Sequence, residues 1–191
     1  MAYDLKSVFY LDTSATITKA TAGGGSAQLD LSAYIDPIAR GRQKGTGLAI
    51  YKTHYAVTNV EDANEVAPEA SETGVMSYGL IAGAGTGDIT TGNLQIPAGA
   101  FTFDASNQLL VSAGNFYGAG SAATSTPVPM DYMMPSKDVP YVIVRDNVCL
   151  QYCVSDSQKF ESNSTLSVRL ECAIITLDQA TLNQLLRTQT V

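Results

Sequence analysis

The sequence predicts an all-β fold. It is read as an antiparallel β-sandwich, an eight-stranded jelly roll in its specific form, with one short C-terminal helix and a single domain over residues 1–191. Three observations predict it. Two alternating segments lie back to back near the C-terminus, at 141–155 and 165–177. Within them Val148, Leu150, Tyr152 and Val154 oppose Asn147, Cys149, Gln151 and Cys153, and Leu166, Val168, Leu170, Cys172 and Ile174 oppose Ser167, Arg169 and Glu171. Side chains on a strand alternate with period two, so this is the pattern of half-buried antiparallel strands. Turns and loops join the strand-like segments, never the helical crossovers that a parallel sheet requires. The chain also has no Trp, whereas an immunoglobulin-like sandwich usually places one between two cysteines.

Taken in order, 5–18 reads as a strand centred on Val8, Phe9, Tyr10 and Leu11, and 22–26, with Gly23, Gly24 and Gly25, as a turn. Residues 28–35 alternate (Leu29, Leu31, Ala33 and Ile35 against Asp30, Ser32 and Tyr34) and stop at Asp36-Pro37. Residues 47–58 make a longer strand, with Ala49, Tyr51, Thr53, Tyr55 and Val57 on one side and Leu48, Ile50, Lys52, His54 and Ala56 on the other. Strand-like segments follow at 74–82, around Pro97 in 94–103, and at 108–113. The stretch 114–139 reads as irregular, with Pro127, Pro129 and Pro135 beside Met130, Met133 and Met134. Long irregular stretches in compact domains usually make contacts or do work, and flexible methionines suit a covered surface. At the end, Asp178 can accept from the free N–H groups of a first helical turn. Leu182, Leu185 and Leu186 then share one face of a helix over 179–187, packed on the sheet or on a neighbour.

Composition bounds the function. Of 191 residues 45% are apolar, enough for a real core, and only 15% are charged, below the usual share of about 25%. The net charge of −7 argues against binding a phosphate backbone directly, which needs clustered Lys and Arg. Arg40, Arg42 and Lys44 form the one basic cluster. It faces an acidic stretch of Glu61, Asp62, Glu65, Glu69 and Glu72, read as a solvated loop without the spacing of a calcium loop. No apolar run approaches the ~20 residues that cross a bilayer as a helix, and the first residues do not read as a signal peptide. Cys149 and Cys153 lie four apart on one strand, roughly 13 Å at ~3.3 Å per residue, too far for a disulfide with each other. Cys172 is left as a partner for either if register allows.

No catalytic constellation is legible. His54 is the single histidine and lies mid-strand beside Lys52. The G-x-S-x-G elbow is absent. The glycines of 83–87 and 41–47 lack the helix start or the Lys-Ser/Thr ending of a phosphate loop. The expectation is therefore no enzyme, no cofactor and no metal site.

The segments GTGLAIYKTHYAV (45–57), VPYVIVRDNVCLQYCVSD (139–156) and STLSVRLECAIITLDQATLNQLL (164–186) resemble the single jelly-roll capsid proteins of tailless icosahedral viruses. The resemblance lies in architecture and covers most of the chain. It implies a virion protein, made in the host cytoplasm, whose copies pack into an icosahedral shell with themselves or with a second coat protein. The N-terminus MAYDLKSVFYLD lacks the basic arm with which such proteins hold nucleic acid, so an internal membrane or another protein would lie between this layer and the genome. Intersubunit contacts are expected at Arg40, Arg42, Lys44, Met130, Tyr132, Met133, Met134, Leu182, Leu185 and Leu186. The alternative is a carbohydrate-binding sandwich using some of the ten tyrosines and the loops at 104–108 and 156–165.

Overall fold

The computed structural model describes residues 8–18, 23–36, 44–59, 73–83, 108–119, 128–154 and 163–189. These form β1 (Phe9–Ile17), β2 (Gly23–Asp30), β3 (Lys44–Asn59), β4 (Thr73–Ala82), β5 (Leu110–Ala119), β6 (Val128–Met133), β7 (Tyr141–Ile143), β8 (Asn147–Val154), β9 (Ser164–Asp178) and α1 (Gln179–Thr188). Two antiparallel sheets result, in the orders β1-β9-β3-β7 and β2-β8-β4-β5-β6. The chain repeatedly crosses from one sheet to the other and its last strand returns between β1 and β3, which is the strand order of a jelly roll. The fold class follows the sequence. The described residues make nine strands where eight were expected: β6 is new, the expected 141–155 strand is two, and the expected one at 94–103 lies outside the described residues.

The core lies between the sheets. Val148, Leu150, Tyr152 and Val154 of β8 meet Leu166, Val168, Leu170 and Cys172 of β9 there, as alternation predicts. Ile174 continues that row but is 47% exposed, because alternation sets direction and not cover. On β8 the opposite face is also hidden at Cys149 and Gln151. The three cysteines are free thiols. Cys172 belongs to the sheet opposite Cys149 and Cys153, which removes the pairing that the sequence left open.

Four expectations need correction. The segment 141–155 is not one strand: it turns at Arg145–Asp146 and its halves join different sheets. The faces of 47–58 invert midway. Ile50 pairs with Cys172 and Lys52 with Glu171, so Tyr51 is the extra residue of a β-bulge. Leu48 and Ile50 face the core before it, and Tyr55 and Val57 after it. The stretch 114–139 is not irregular throughout: β5 runs to Ala119 and β6 covers Val128–Met133, while 134–139 is irregular as expected and 120–127 lies outside the described residues. Gly23, Gly24 and Gly25 are not a turn but the first residues of β2, whose strand ends at Asp30 and gives way to a turn over 32–34. The expected segment at 94–103 and the acidic stretch lie outside the described residues.

The strand glycines have a physical reason. Gly25 pairs with Tyr152 and Gly114 with Tyr78, and a Cβ on either glycine would stand 2.5–2.6 Å from the tyrosine ring. Each ring sits close against its glycine, an approach that a side chain would block. Tyrosine hydroxyls also strap the sheets together. The Tyr152 hydroxyl donates to the Thr16 carbonyl across the sandwich at 2.6 Å. Tyr55 Oη is 2.6 Å from Ser112 Oγ. Tyr141 donates to the Gln108 carbonyl at 2.9 Å, and its burial pushes the phenol up to about 12.

Candidate functional site

The outward face of the β1-β9-β3-β7 sheet has two halves, divided by the Tyr51 bulge. Toward β7 it is apolar. Val144, Leu177 and Leu182 form a buried cluster there, joined by half-buried Val142, Ile175, Leu185 and Leu186. Helix α1 supplies the cover. Asp178 caps it by accepting from Thr181 N–H at 2.7 Å, and this bond holds its carboxyl below the usual range. The three predicted leucines are thus together, with Leu182 fully buried against this chain's own sheet.

The other half carries polar side chains in cross-strand rows: Tyr10, Glu171 and Lys52; Asp12, Arg169 and His54; Ser14, Ser167 and Ala56; Thr16, Thr165 and Thr58. All of these but Lys52 and Thr16 line an open groove of about 710 Å³. A second groove of about 480 Å³ adjoins it, walled by Met134, Pro135, Ser136 and Lys137. His54 Nε2 lies 2.8 Å from Glu171 Oε1, and this contact lowers the Glu171 pKa. The pair is solvent-facing, with hydroxyls and mixed charges around it. Such a surface can hydrogen-bond a partner. Among the described residues no three His, Cys, Asp or Glu side chains gather as metal ligands, and no helix is long and apolar enough to cross a membrane.

Of the other predicted contact residues, Lys44 opens β3 opposite Asp178 and is exposed. Met133 is half-buried beside Ile81, Leu109, Leu110 and Ala113. Met134 accepts a hydrogen bond from Thr53 Oγ1 at 2.9 Å. Met130 and Tyr132 lie in β6, with side chains outside the described part, as are Arg40 and Arg42 altogether. The loops at 104–107 and 156–162 are outside it too.

The four sheet edges are finished differently, and the residue that matters most at one of them was missed. Gln189, only 4% exposed, follows α1. Its side-chain amide donates to the Val142 carbonyl at 2.7 Å and accepts from Val144 N–H at 3.1 Å. Arg145 Nη1 donates to the Gln189 carbonyl at 2.6 Å. One carboxamide thus stands in for a neighbouring strand along β7. No local pattern marks such a glutamine; only the docking of α1 brings it there. On β6, Pro129 removes a donor, and Asp131 accepts from the Tyr78 hydroxyl at 2.7 Å. On β1, the Tyr152 hydroxyl occupies the Thr16 carbonyl. β2 has eight residues without Pro, Lys or Arg.

No family model matches this chain, and no curated protein does. Among solved structures it is similar to VP1 of Trichodysplasia spinulosa-associated polyomavirus in complex with 3'-sialyllactose. That match has 10% identity, 91% of this chain and 97% of that chain covered, and a TM-score of 0.49. It is similar to the Human Polyomavirus 7 VP1 pentamer, with 11% identity, 90% and 96% covered, and a TM-score of 0.44. It is also similar to Desmodium yellow mottle tymovirus, with 8% identity, 90% and 86% covered, and a TM-score of 0.36. The likeness to these jelly-roll capsid proteins is one of architecture, and the fold assignment rests on the strand order alone.

Proposed function

We propose that this chain is a capsid subunit whose copies pack side by side into a closed shell. The observation that carries the reading is the strand order, β1-β9-β3-β7 against β2-β8-β4-β5-β6. It is the architecture implied by the resemblance of 45–57, 139–156 and 164–186 to single jelly-roll capsid proteins. The solvent-facing polar half of the first sheet and the unfinished β2 edge suit lateral neighbours. A net charge of −7 supports a layer that does not itself neutralise a genome, with a second coat protein or an internal membrane beneath it. The reading makes the chain a structural protein of the virion rather than an enzyme.

Electron microscopy of the purified protein, alone and with a co-expressed coat protein, tests this. Particles of uniform diameter are expected. A strictly monomeric species at every concentration and salt overturns it.

One observation favours a second reading, a carbohydrate-binding sandwich. Tyr10 is 61% exposed at the edge of the groove that holds Asp12, Ser14, Ser167 and Arg169. An exposed ring among hydroxyls and charges suits a sugar face. Micromolar binding on a glycan array that disappears in Tyr10→Ala would select this reading; no binding removes it.

A further inference from the structure

We infer that two copies of this chain join through β2, edge to edge about a two-fold axis, so that the five strands of each second sheet form one continuous sheet. The inference deepens the capsid reading by naming one contact between copies, and it rests on that reading only for the place of the pair in a shell.

The geometry comes from the ladder. Leu31 N–H donates to the Asp146 carbonyl at 2.6 Å, one step beyond the Asp30–Asn147 pair of β2 and β8. Hydrogen-bonded and non-hydrogen-bonded pairs alternate along an antiparallel ladder. Gly25, Ala27 and Leu29 therefore bond toward β8. The N–H and C=O groups of Gly24, Ser26, Gln28 and Asp30 point away from it, along the free edge. The side chains divide in the same way: those four residues are exposed, while Gly25, Ala27 and Leu29 face inward, half-buried at the rim of the core.

A second copy of the same strand, antiparallel, fits this edge in one register. Gly24 lies opposite the copy's Asp30 and Ser26 opposite its Gln28, with Ala27 facing its own copy at the axis. Every outward donor and acceptor is then paired. The one charge of the strand, Asp30, lies opposite a glycine. Shifting by two residues leaves groups unpaired, and a shift that centres the axis on Asp30 sets carboxylate against carboxylate. A one-residue slip brings the outward groups opposite residues that are bonded to β8. The choice of β2 follows from the other edges: β7 is sealed by Gln189, β6 is interrupted by Pro129, and on β1, also free of Pro and Lys, the Tyr152 hydroxyl already holds the Thr16 carbonyl, so that strand would pair with a copy incompletely. Natural sheets block long edges with proline, lysine or a cover, and β2 has none within its eight residues. An isologous contact closes on itself as a pair, so it does not propagate into a fibre.

The test uses the full chain. Ala27→Cys places two thiols at a non-hydrogen-bonded pair, where Cα atoms are about 4.5 Å apart and within disulfide reach. It should give a covalent dimer on a non-reducing gel, from free subunits and from particles alike, while the parent protein with its three native thiols gives none. Ser26→Lys with Gln28→Lys sets lysine opposite lysine twice and should weaken the dimer roughly tenfold by sedimentation equilibrium. Ser26→Lys with Gln28→Glu sets lysine opposite glutamate and should restore it to within about threefold. Both positions changed in the last two variants are solvent-facing, so the thermal midpoint should not move. The inference is overturned if Ala27→Cys does not cross-link, if the two charge variants behave alike, or if the parent is monomeric at about 100 µM. Normal particles without the cross-link would refute the β2 contact and leave the capsid reading standing. A cross-linked dimer that never forms particles would do the reverse.

Discussion

Strands β7 and β2 are both sheet edges, and they are treated oppositely. β7 has three residues, and its outward groups are met by the Gln189 carboxamide. β2 has eight, and no described residue meets its four outward donors and four outward acceptors. The difference is one of chain economy. The residues after β9 turn into α1, bury Leu182, and carry Gln189 onto β7. No equivalent segment of the described chain seals β2. Among the described residues, β7 is sealed, β6 is interrupted, β1 has one outward carbonyl held, and β2 has none of its outward groups met, which makes β2 the place where a neighbour can add most completely.

The largest test of this contrast is to undo the seal. Leu182 is fully buried beneath α1. Leu182→Ala should lose about 3 kcal/mol of stability in urea titration, the usual cost of a buried leucine truncation. Loosening α1 also withdraws Gln189, so β7 becomes a second open edge. The variant should aggregate on standing where the parent does not, as read by light scattering. Unchanged stability would mean that α1 is not what finishes this side.

Gln189→Ala isolates the seal from the packing. It leaves the Val142 carbonyl and Val144 N–H without their partners, and a cost of about 2 kcal/mol is expected. Gln28→Ala on the open edge should stay within about 0.5 kcal/mol, as exposed substitutions do. Equal losses at the two positions would erase the distinction between a sealed and an open edge.

The tyrosine-covered glycines make the same comparison from inside the sheet. Gly114 lies on β5, held between β4 and β6, while Gly25 lies on the edge strand. Gly114→Ala should cost about 2 kcal/mol, because the Tyr78 ring it meets also packs at a tilt against Tyr55 and is tied to Asp131. Gly25→Ala should cost about half as much, since an edge strand can shift away from the ring of Tyr152. A larger loss at Gly25 would mean that β2 is as firmly held as an inner strand.

What the sequence made legible follows from which forces act locally. Alternation in β8 and β9, the Asp178 cap and the three leucines of α1 depend on neighbours one to four residues away, and all are in place. The parity of β3 was not legible past Ile50, because a bulge is a property of two strands. The glycines of β2 were misread because composition says that glycine permits a turn and does not say that a tyrosine will lie across it. The turn at Arg145–Asp146 was hidden by continuous apolar residues on both sides. The candidate surface was less visible still. Predicted contacts were chosen for being apolar or basic, whereas the open edge is built from backbone groups, for which Gly24, Ser26 and Gln28 give no chemical signal.

The bare half of the first sheet offers the smallest effect and a sign that can be checked. The His54 contact lowers the Glu171 pKa, with Lys52 and Lys137 adding to it by charge. A carboxyl whose folded pKa lies below its ordinary 4.5 takes up a proton more readily in the unfolded chain. Its contribution to stability is therefore complete above that ordinary value and falls away as pH drops through it toward the lower folded value. Glu171→Gln removes this contribution at neutral pH and leaves nothing to lose on acidification. The thermal midpoints of parent and variant should differ slightly at neutral pH and converge as pH falls below the ordinary carboxylate range. Since the pair faces solvent, added salt should shrink the difference at neutral pH. A gap that widens on acidification would mean that the carboxyl is stabilised in its protonated form, and that the face around His54 is covered in solution rather than bare.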